Sequence, residues 1–259
     1  MAGVKQILRI IAVVMCESVL AATKEPLFLK NLNTKIRPIA SDDSVKWDYD
    51  IVYVRAPREG DEVHKRFYTD FSAPITMEPG ADLMLLRPDG SEELLVKGGD
   101  GSVTDPIVSL DGQWVFYVKI HNLIKASQWN PPAAGADIYK IHLKSRRIVR
   151  LTNQQFTPNL GAGDWASDFR NASRKENSKH HFAYGVYNMG PCPLPGGRVA
   201  FNSNREGFKP SRGYPAVALQ LFVMDDRDSD LPMNETHPAN LDKIGHLNIA
   251  GALHPVVLA

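Results

Sequence analysis

Cysteine, charge of a single sign and long apolar runs are all scarce in this sequence. Its 259 residues include two cysteines, Cys16 and Cys192, which cannot make a disulfide framework. Thirty Lys and Arg residues offset 29 Asp and Glu residues, so there is neither a basic field for nucleic acid nor an acidic tail. No run after the N-terminus is long and apolar enough to span a bilayer. We therefore expect no nucleic-acid partner and no membrane span once the N-terminal segment is removed.

Several catalytic motifs are also missing. The sequence contains no Gly-x-Ser-x-Gly nucleophile elbow, no His-Glu-x-x-His helix and no Gly-x-x-x-x-Gly-Lys-Ser/Thr phosphate loop. Gly98-Gly99-Asp100-Gly101 is expected to be a flexible connector and not a nucleotide site. An enzyme that acts by itself is therefore the least favoured class, while membership of a multi-subunit oxidoreductase stays open.

The N-terminus has the pattern of an export signal. Lys5 and Arg9 supply positive charge, Ile10 to Met15 is apolar, and Val19-Leu20-Ala21 offers a cleavage site with small residues. Residues 1–22 are therefore predicted to be a signal peptide, which places the mature protein in the periplasm or otherwise outside the cytoplasm. The alternative is a buried N-terminal helix, since a short apolar core fits both.

The stretch from Ala81 to Lys119 predicts paired strands. Leu83 to Leu86 is apolar at successive positions, as in a strand that is packed on both faces. Pro88-Asp89-Gly90 and Asp111-Gly112 are turn sequences, and Trp114 to Val118 is rich in β-branched and aromatic residues. Two hairpins in this stretch are expected to form one four-stranded propeller blade.

The same unit recurs along the chain. Further copies begin at Ala136 and Leu219, and Asp50 to Arg55 has the composition of an earlier strand. Repeats built from strands and turns indicate a β-propeller. We predict an all-β fold in which residues 23–259 form an incomplete propeller of about three to four blades. Such an arc needs a protein partner or additional blades to cover its ends.

An insertion at residues 153–190 separates the two halves of the second copy. Loops on a rigid scaffold often carry binding groups, which makes this insertion a candidate docking loop over the central channel. The alternative is a solvated surface excursion with a few anchoring aromatic residues. The polar and aromatic residues at issue are Asp164, Trp165, Asp168, Arg170, His180, His181, Tyr184 and Tyr187.

Cys192 follows this insertion, directly before a predicted strand, and is a candidate metal ligand. Its thiolate together with an imidazole nitrogen of His180 or His181 would suit a soft metal such as zinc or copper. The alternative is a small buried apolar cysteine, because free cysteine is among the most buried residue types.

The repeats resemble those of TolB-like propellers of the PD40 type. The resemblance rests on Asp82-Leu83 with Leu110 to Phe116, repeated at Asp137-Ile138 with Leu194 to Phe201. A narrower resemblance is to the propeller region of hydrazine synthase alpha-subunit-like proteins. It rests on Cys192 to Arg205, Leu219 to Asp226 and Ile244 to Pro255.

The narrower resemblance implies an exported, non-haem module that scaffolds or docks a redox partner. In that family the propeller precedes regions with c-type haem, which need Cys-x-x-Cys-His, and this chain has no such motif. The resemblance therefore implies no cofactor in this chain, with haem c only in downstream regions or in a partner. The alternative is a TolB-like periplasmic interaction scaffold with no enzymatic association.

Overall fold

The structure of the chain is a computed structural model. This structure describes residues 41–42, 44–57, 78–124, 135–154, 186–206, 219–232, 235–244 and 255–257. The chain divides into two compact units, Met1–Lys46 and Trp47–Ala259. All strands named below belong to the second unit, and the predicted signal peptide at residues 1–22 lies outside the described residues.

Eleven strands form three antiparallel sheets in the described part of the chain. The first sheet contains β1 (Ile51–Arg55), β2 (Asp82–Leu86) and β3 (Glu92–Val96). The second contains β4 (Ser102–Val108), β5 (Trp114–Ile120), β6 (Ala136–His142) and β7 (Ile148–Arg150). The third contains β8 (Asn188–Leu194), β9 (Arg198–Ser203), β10 (Gln220–Asp225) and β11 (Asp242–Lys243).

Each sheet is a meander in which every strand pairs with its sequence neighbour. No α-helix occurs among the described residues. The prediction of an all-β chain made of incomplete propeller blades is therefore confirmed. Within those residues no helix is long and apolar enough to cross a bilayer.

Apolar residues on both faces of the middle strands hold neighbouring sheets together. Phe116, Val118 and Ile138 of the second sheet share a buried cluster with Val199 and Phe201 of the third. A second cluster joins the first and second sheets through buried apolar residues of β2 to β6, namely Leu83, Val96, Val103, Val115, Tyr117 and Ile141. Strands that are buried on both faces need a neighbour on each side, as blades of a propeller have.

The division into blades differs from the sequence prediction. The stretch from Ala81 to Lys119 was predicted to be one blade, but β2 and β3 belong to the first sheet whereas β4 and β5 begin the second. The hairpins themselves are present, and β5 continues into β6 through seven residue pairs. A sequence repeat has the same period whichever strand is taken as the first strand of the unit. The repeat alone therefore does not show at which strand one sheet ends and the next begins.

The first strands of the second and third sheets share an irregularity. Pairing shifts at Asp105 in β4 and at Gly190 in β8, and each residue precedes a proline. Their φ angles are +52° and +55°, in the left-handed region that glycine adopts most easily. The Gly190 amide donates to Asp105 Oδ2 at 2.9 Å, so the two bulges contact each other across the sheet boundary.

The glycine-rich link between β3 and β4 was predicted to be a flexible connector, and this was wrong. Gly98 and Gly101 are buried, the Gly101 amide donates to the Gly98 carbonyl at 3.2 Å, and the Gly80 amide donates to the Gly101 carbonyl at 2.7 Å. A Cβ atom on Gly101 would lie 1.8 Å from the carbonyl oxygen of Ile120. Glycine is needed here for close packing of backbones and not for flexibility.

Four of the five long connections between the strands leave the sheets at one end, which we call the loop face. Antiparallel order places the ends of β1, β3, β5, β7 and β9 on this face together with the starts of the even-numbered strands. The links across 56–81, 121–135, 151–187 and 204–219 all start and finish there. At the opposite end the links are mostly tight turns, at 87–91, 109–113, 143–147 and 195–197. The link across 226–241 is the long one at that end.

A buried lysine joins the second and third sheets near that opposite end. Lys140 of β6 is 1% exposed, and its ammonium donates to Asp226 at 2.8 Å and to Asp228 at 2.9 Å. The same nitrogen lies 4.4 Å from the centre of the Trp114 ring. The carboxylates are the solvated side of the contact, because the Asp226 and Asp228 side chains are 25% and 75% exposed.

We expect Lys140→Met to leave the free energy of unfolding within about 1 kcal/mol of wild type, since a buried ion pair is replaceable by an apolar side chain of similar size. Lys140→Ala is expected to cost about 2 kcal/mol, because it also leaves a cavity beside Trp114. Urea unfolding of both variants measures the difference. Equal losses in the two variants would mean that the charge, and not the packed stem, stabilises the contact.

Candidate functional site

The most enclosed charged group of the described chain lies at the loop face. Asp137 is the second residue of β6, has 0% exposure and pairs in register with Lys119 of β5. Register places Asp82 of the first sheet and Gln220 of the third at the corresponding position, opposite Arg55 and Ser203. The repeat thus puts a polar side chain at the same place in each sheet, and only in the second sheet is it a fully buried carboxylate.

Five donors surround the Asp137 carboxylate. Oδ2 lies 2.8 Å from His121 Nε2 and 2.6 Å from Arg150 Nη2. Oδ1 accepts hydrogen bonds from Thr152 Oγ1 at 2.7 Å, the Gln154 amide at 2.8 Å and Asn188 Nδ2 at 3.3 Å. These donors come from β8 and from the ends of β5 and β7, so the carboxylate is a meeting point of two sheets.

The donors keep Asp137 ionised. Burial by itself raises the pKa of the Asp137 carboxyl, but the hydrogen bond from His121 and the charge of Arg150 outweigh burial and hold this pKa below its usual value. A carboxylate can only accept, so Nε2 of His121 carries the proton in this contact. No described Ser, Thr or Cys side chain bonds to His121, so the described contacts form an Asp–His pair without a nucleophile.

Asn188 extends the network into the third sheet. Its Nδ2 donates to Asp137 and, at 3.3 Å, to the carbonyl of Ala136. Its Oδ1 accepts from Ser203 Oγ at 3.0 Å and from Arg205 Nη2 at 2.8 Å. A carboxylate on one side and a guanidinium on the other fix the orientation of the amide.

Arg205 ends the network in an apolar setting. It is 4% exposed, and its guanidinium carbon lies 5.2 Å from the centre of the Phe201 ring and 5.1 Å from that of Phe222. Its Nε donates to Ser203 Oγ at 3.0 Å. Burial lowers the pKa of Arg205 to about 10, with the charges of Asp137 and Glu206 acting in the opposite direction.

The network fixes the bases of three successive long connections. His121 stands where the 121–135 link leaves the sheet, and its backbone amide bonds to the Gly135 carbonyl at the other end of that link. Gln154 lies near the start of the 151–187 link and Asn188 follows its end, and Arg205 stands at the start of the 204–219 link. The donors that surround Asp137 already have an acceptor inside the fold. The role that this arrangement supports is therefore to hold the ends of the loops in place.

The predicted metal ligands are only partly within the described residues. His180 and His181 lie outside them, as does most of the 153–190 insertion. The sequence predicts Cys192 just before a strand, but it lies inside β8, 2% exposed in an apolar cluster with Ala200 and Val223. Burial raises the pKa of its thiol. No group of three or more His, Cys, Asp or Glu side chains suited to a metal occurs in the described part, and the Cys192 site stays a prediction.

The network residues are not recognisable as one site in the sequence. Asp137 belongs to a repeated motif and Arg205 to a segment that resembles a known family, but neither pattern joins the two residues. The available signal is position: polar residues recur where apolar strands begin or end, as Asp137, Thr152 and Asn188 do. That these strand ends meet across two sheets could not be predicted without the blade boundaries.

No protein-family model and no curated protein sequence matches this chain. One similar solved structure is a protein described as putative TolB from Agrobacterium tumefaciens, at 17% identity and a TM-score of 0.34, covering 63% of this chain and 40% of that one. A prolyl endopeptidase structure has 9% identity and a TM-score of 0.35, covering 77% and 20%. The tricorn protease has 13% identity and a TM-score of 0.32, covering 56% and 12%.

The chain therefore spans two fifths or less of the length of these three proteins. What is established for this chain is an all-β fold of propeller-type blades, with a buried polar network at the bases of its long connections.

Proposed function

We propose that this chain is a TolB-like propeller module that docks a partner protein on its loop face. One observation carries the proposal: four long connections leave from the same end of the sheets, while the other end has mostly tight turns. Binding groups are commonly placed on loops that a rigid scaffold holds in position.

The buried network supports this proposal because it makes the scaffold rigid at the bases of three long connections. Asp137, Asn188 and Arg205 tie the bases of the three connections to one another through hydrogen bonds of 2.8 to 3.3 Å. Fixed loop ends reduce the conformational entropy that binding must overcome. The same network lacks a nucleophile among the described residues, so it favours a docking role over catalysis by this chain alone.

The finer proposal is that the module is exported and that its partner is a redox protein with c-type haem. It is supported by the signal-like N-terminus and by the sequence resemblance to hydrazine synthase alpha-subunit-like proteins. The alternative proposal is an exported interaction scaffold whose partner carries no haem. N-terminal sequencing of the mature chain tests export, and a start near residue 23 is the expected result.

Site-specific photo-crosslinking tests the docking face. A photoreactive residue at Lys97 or Asp100, both exposed on the loop face, is expected to trap one and the same partner. Matched probes at Leu110 and Lys144, which are exposed at the opposite end, serve as controls and are expected to trap far less of it. Equal trapping from both ends would contradict the proposal.

The trapped partner then separates the two finer proposals. Covalent haem and a Cys-x-x-Cys-His peptide in the cross-linked band would support a redox partner. A partner without haem would support the interaction scaffold. Both results are compatible with docking through the loop face, which the position of the probes tests separately.

A further inference from the structure

The first sheet lacks the kind of strand that begins each of the other two sheets. Asp82 of β2 has the same register position as Asp137 in β6, which is the third strand of the second sheet. β1, β2 and β3 therefore correspond to the last three strands of a four-stranded sheet. We call β4 and β8 leading strands, and among the described residues β1 has no leading strand beside it. One edge of β1 is thus open to pairing.

A segment that follows the third sheet has the sequence of a further leading strand. In β4 and in β8 the bulge residue is followed by proline and then by an apolar residue, and the sequence repeats this pattern once more. The three occurrences are Asp105-Pro106-Ile107, Gly190-Pro191-Cys192 and His254-Pro255-Val256.

The position of residues 255–257 agrees with this sequence pattern. Ile107 of β4 packs against the apolar cluster that contains Cys192 of β8. The Val257 backbone amide in turn bonds to the Cys192 thiol, so the segment lies against β8 as β8 lies against β4. The Val256 and Val257 side chains are nevertheless 69% and 44% exposed, and no strand in the described part of the chain pairs with the segment.

One copy of the chain can therefore supply the strand that another copy lacks. Closed propellers have about four to eight blades. The three sheets of one copy are too few for a ring, so residues 255–257 cannot reach β1 of their own copy. Two copies supply six sheets, which lies within the range of about four to eight, whereas three copies exceed it.

We propose that two copies of this chain form a closed ring of six sheets, in which residues 255–257 of each copy pair with β1 of the other. Main-chain hydrogen bonds along the open edge and burial of the exposed valines both favour such strand addition. Each copy gives one strand and receives one, so the contacts close and do not continue into a fibre. This inference goes beyond docking at the loop face and is independent of it, because it concerns the edges of the sheets.

The existing sheets give the register of the exchanged strand. The residue after the proline pairs with Phe116 in the second sheet and with Ala200 in the third. In both sheets this partner lies three residues before the position opposite the recurring polar residue. Val52 has the equivalent place in β1, where Arg55 lies opposite Asp82. Val256 is therefore expected opposite Val52 of the other copy.

Sedimentation equilibrium of the purified chain at micromolar concentration tests the proposal, and twice the mass of one chain is the expected result. Val256→Lys should shift the mass to that of a single chain, because a charge on the added strand opposes pairing. Leu110→Lys is the matched control: Leu110 is also 69% exposed, but it lies in the 109–113 turn, so this variant should keep the double mass. A single-chain mass for wild type, or the same behaviour of both lysine variants, would overturn the proposal.

Cross-linking tests which strands are exchanged. Val52→Cys chains and Val256→Cys chains, each with Cys16→Ser, are mixed, allowed to exchange and treated with a short bis-maleimide. The mixture should give a covalent dimer, while neither variant alone should give one. Cys192 is not expected to react, because it is 2% exposed. A dimer of equal yield from either variant alone, or none from the mixture, would exclude the proposed exchange.

Discussion

Replacement of Asp137 by alanine is expected to lower the free energy of unfolding by about 3–5 kcal/mol, the cost of removing one partner from a buried ion pair. The loss is large because one side chain satisfies five donors, including the Arg150 guanidinium and the Gln154 backbone amide. Domains of this kind have a total stability of about 5–15 kcal/mol, so the variant should unfold at much lower urea concentrations. Equilibrium urea unfolding measures the change.

Asp82→Ala is the matched control for this experiment. Asp82 has the same place in the first sheet, but it is only partly buried and accepts one hydrogen bond, from the Gly98 amide at 2.7 Å. Loss of a single such bond should cost about 0.5–1.5 kcal/mol. If both alanine variants lost the same stability, the network around Asp137 would have no special role.

The same carboxylate predicts the direction of a pH dependence. Because the pKa of Asp137 is lowered in the folded protein, its ionised form contributes stability at pH values above the unfolded pKa of about 3.9. That contribution is lost as the pH falls below this value toward the folded pKa. Asp137→Asn should therefore be less stable at neutral pH and lose less further stability on acidification. A parallel pH profile for wild type and variant would contradict the assignment.

The fold could be predicted from sequence because its signals are local. The apolar run from Leu83 to Leu86, the Asp111-Gly112 turn and the aromatic run from Trp114 each identify one element, and each element is present. The repeat of these signals at Ala136 and Leu219 predicted the antiparallel sheets correctly.

The candidate site could not be predicted in the same way because its contacts are not local. Asp137 contacts His121, which follows the end of the preceding strand, and Asn188 of the next sheet. These residues are separated in sequence and come together only in the folded structure. A buried carboxylate and a partly exposed one look alike in sequence, as Asp137 and Asp82 do within the same motif. The two carboxylates differ in the number of hydrogen-bond donors that reach them in the folded structure.

The glycine-rich link shows the opposite error. Its local composition predicts a flexible segment, but its backbone is packed. Gly98-Gly99-Asp100-Gly101 has the composition of a flexible linker. Gly98 and Gly101 are instead enclosed where the first sheet passes to the second, and the Leu123 amide bonds to the Asp100 carbonyl at 2.8 Å. Composition cannot distinguish a glycine that allows motion from one that allows close approach.

Gly101→Ala is accordingly expected to destabilise the protein by about 3 kcal/mol or more, at or above the usual upper end for overpacking. The added Cβ would lie 1.8 Å from the Ile120 carbonyl oxygen and 2.8 Å from that of His121, and both are backbone atoms that no side-chain rotation can move. Gly99→Ala is the control. Its φ of +62° disfavours alanine by about 1–2 kcal/mol, but a Cβ there meets nothing within 4 Å. Urea unfolding should therefore rank Gly101→Ala well below Gly99→Ala in stability, and the reverse order would mean that the link is not packed against the end of β5.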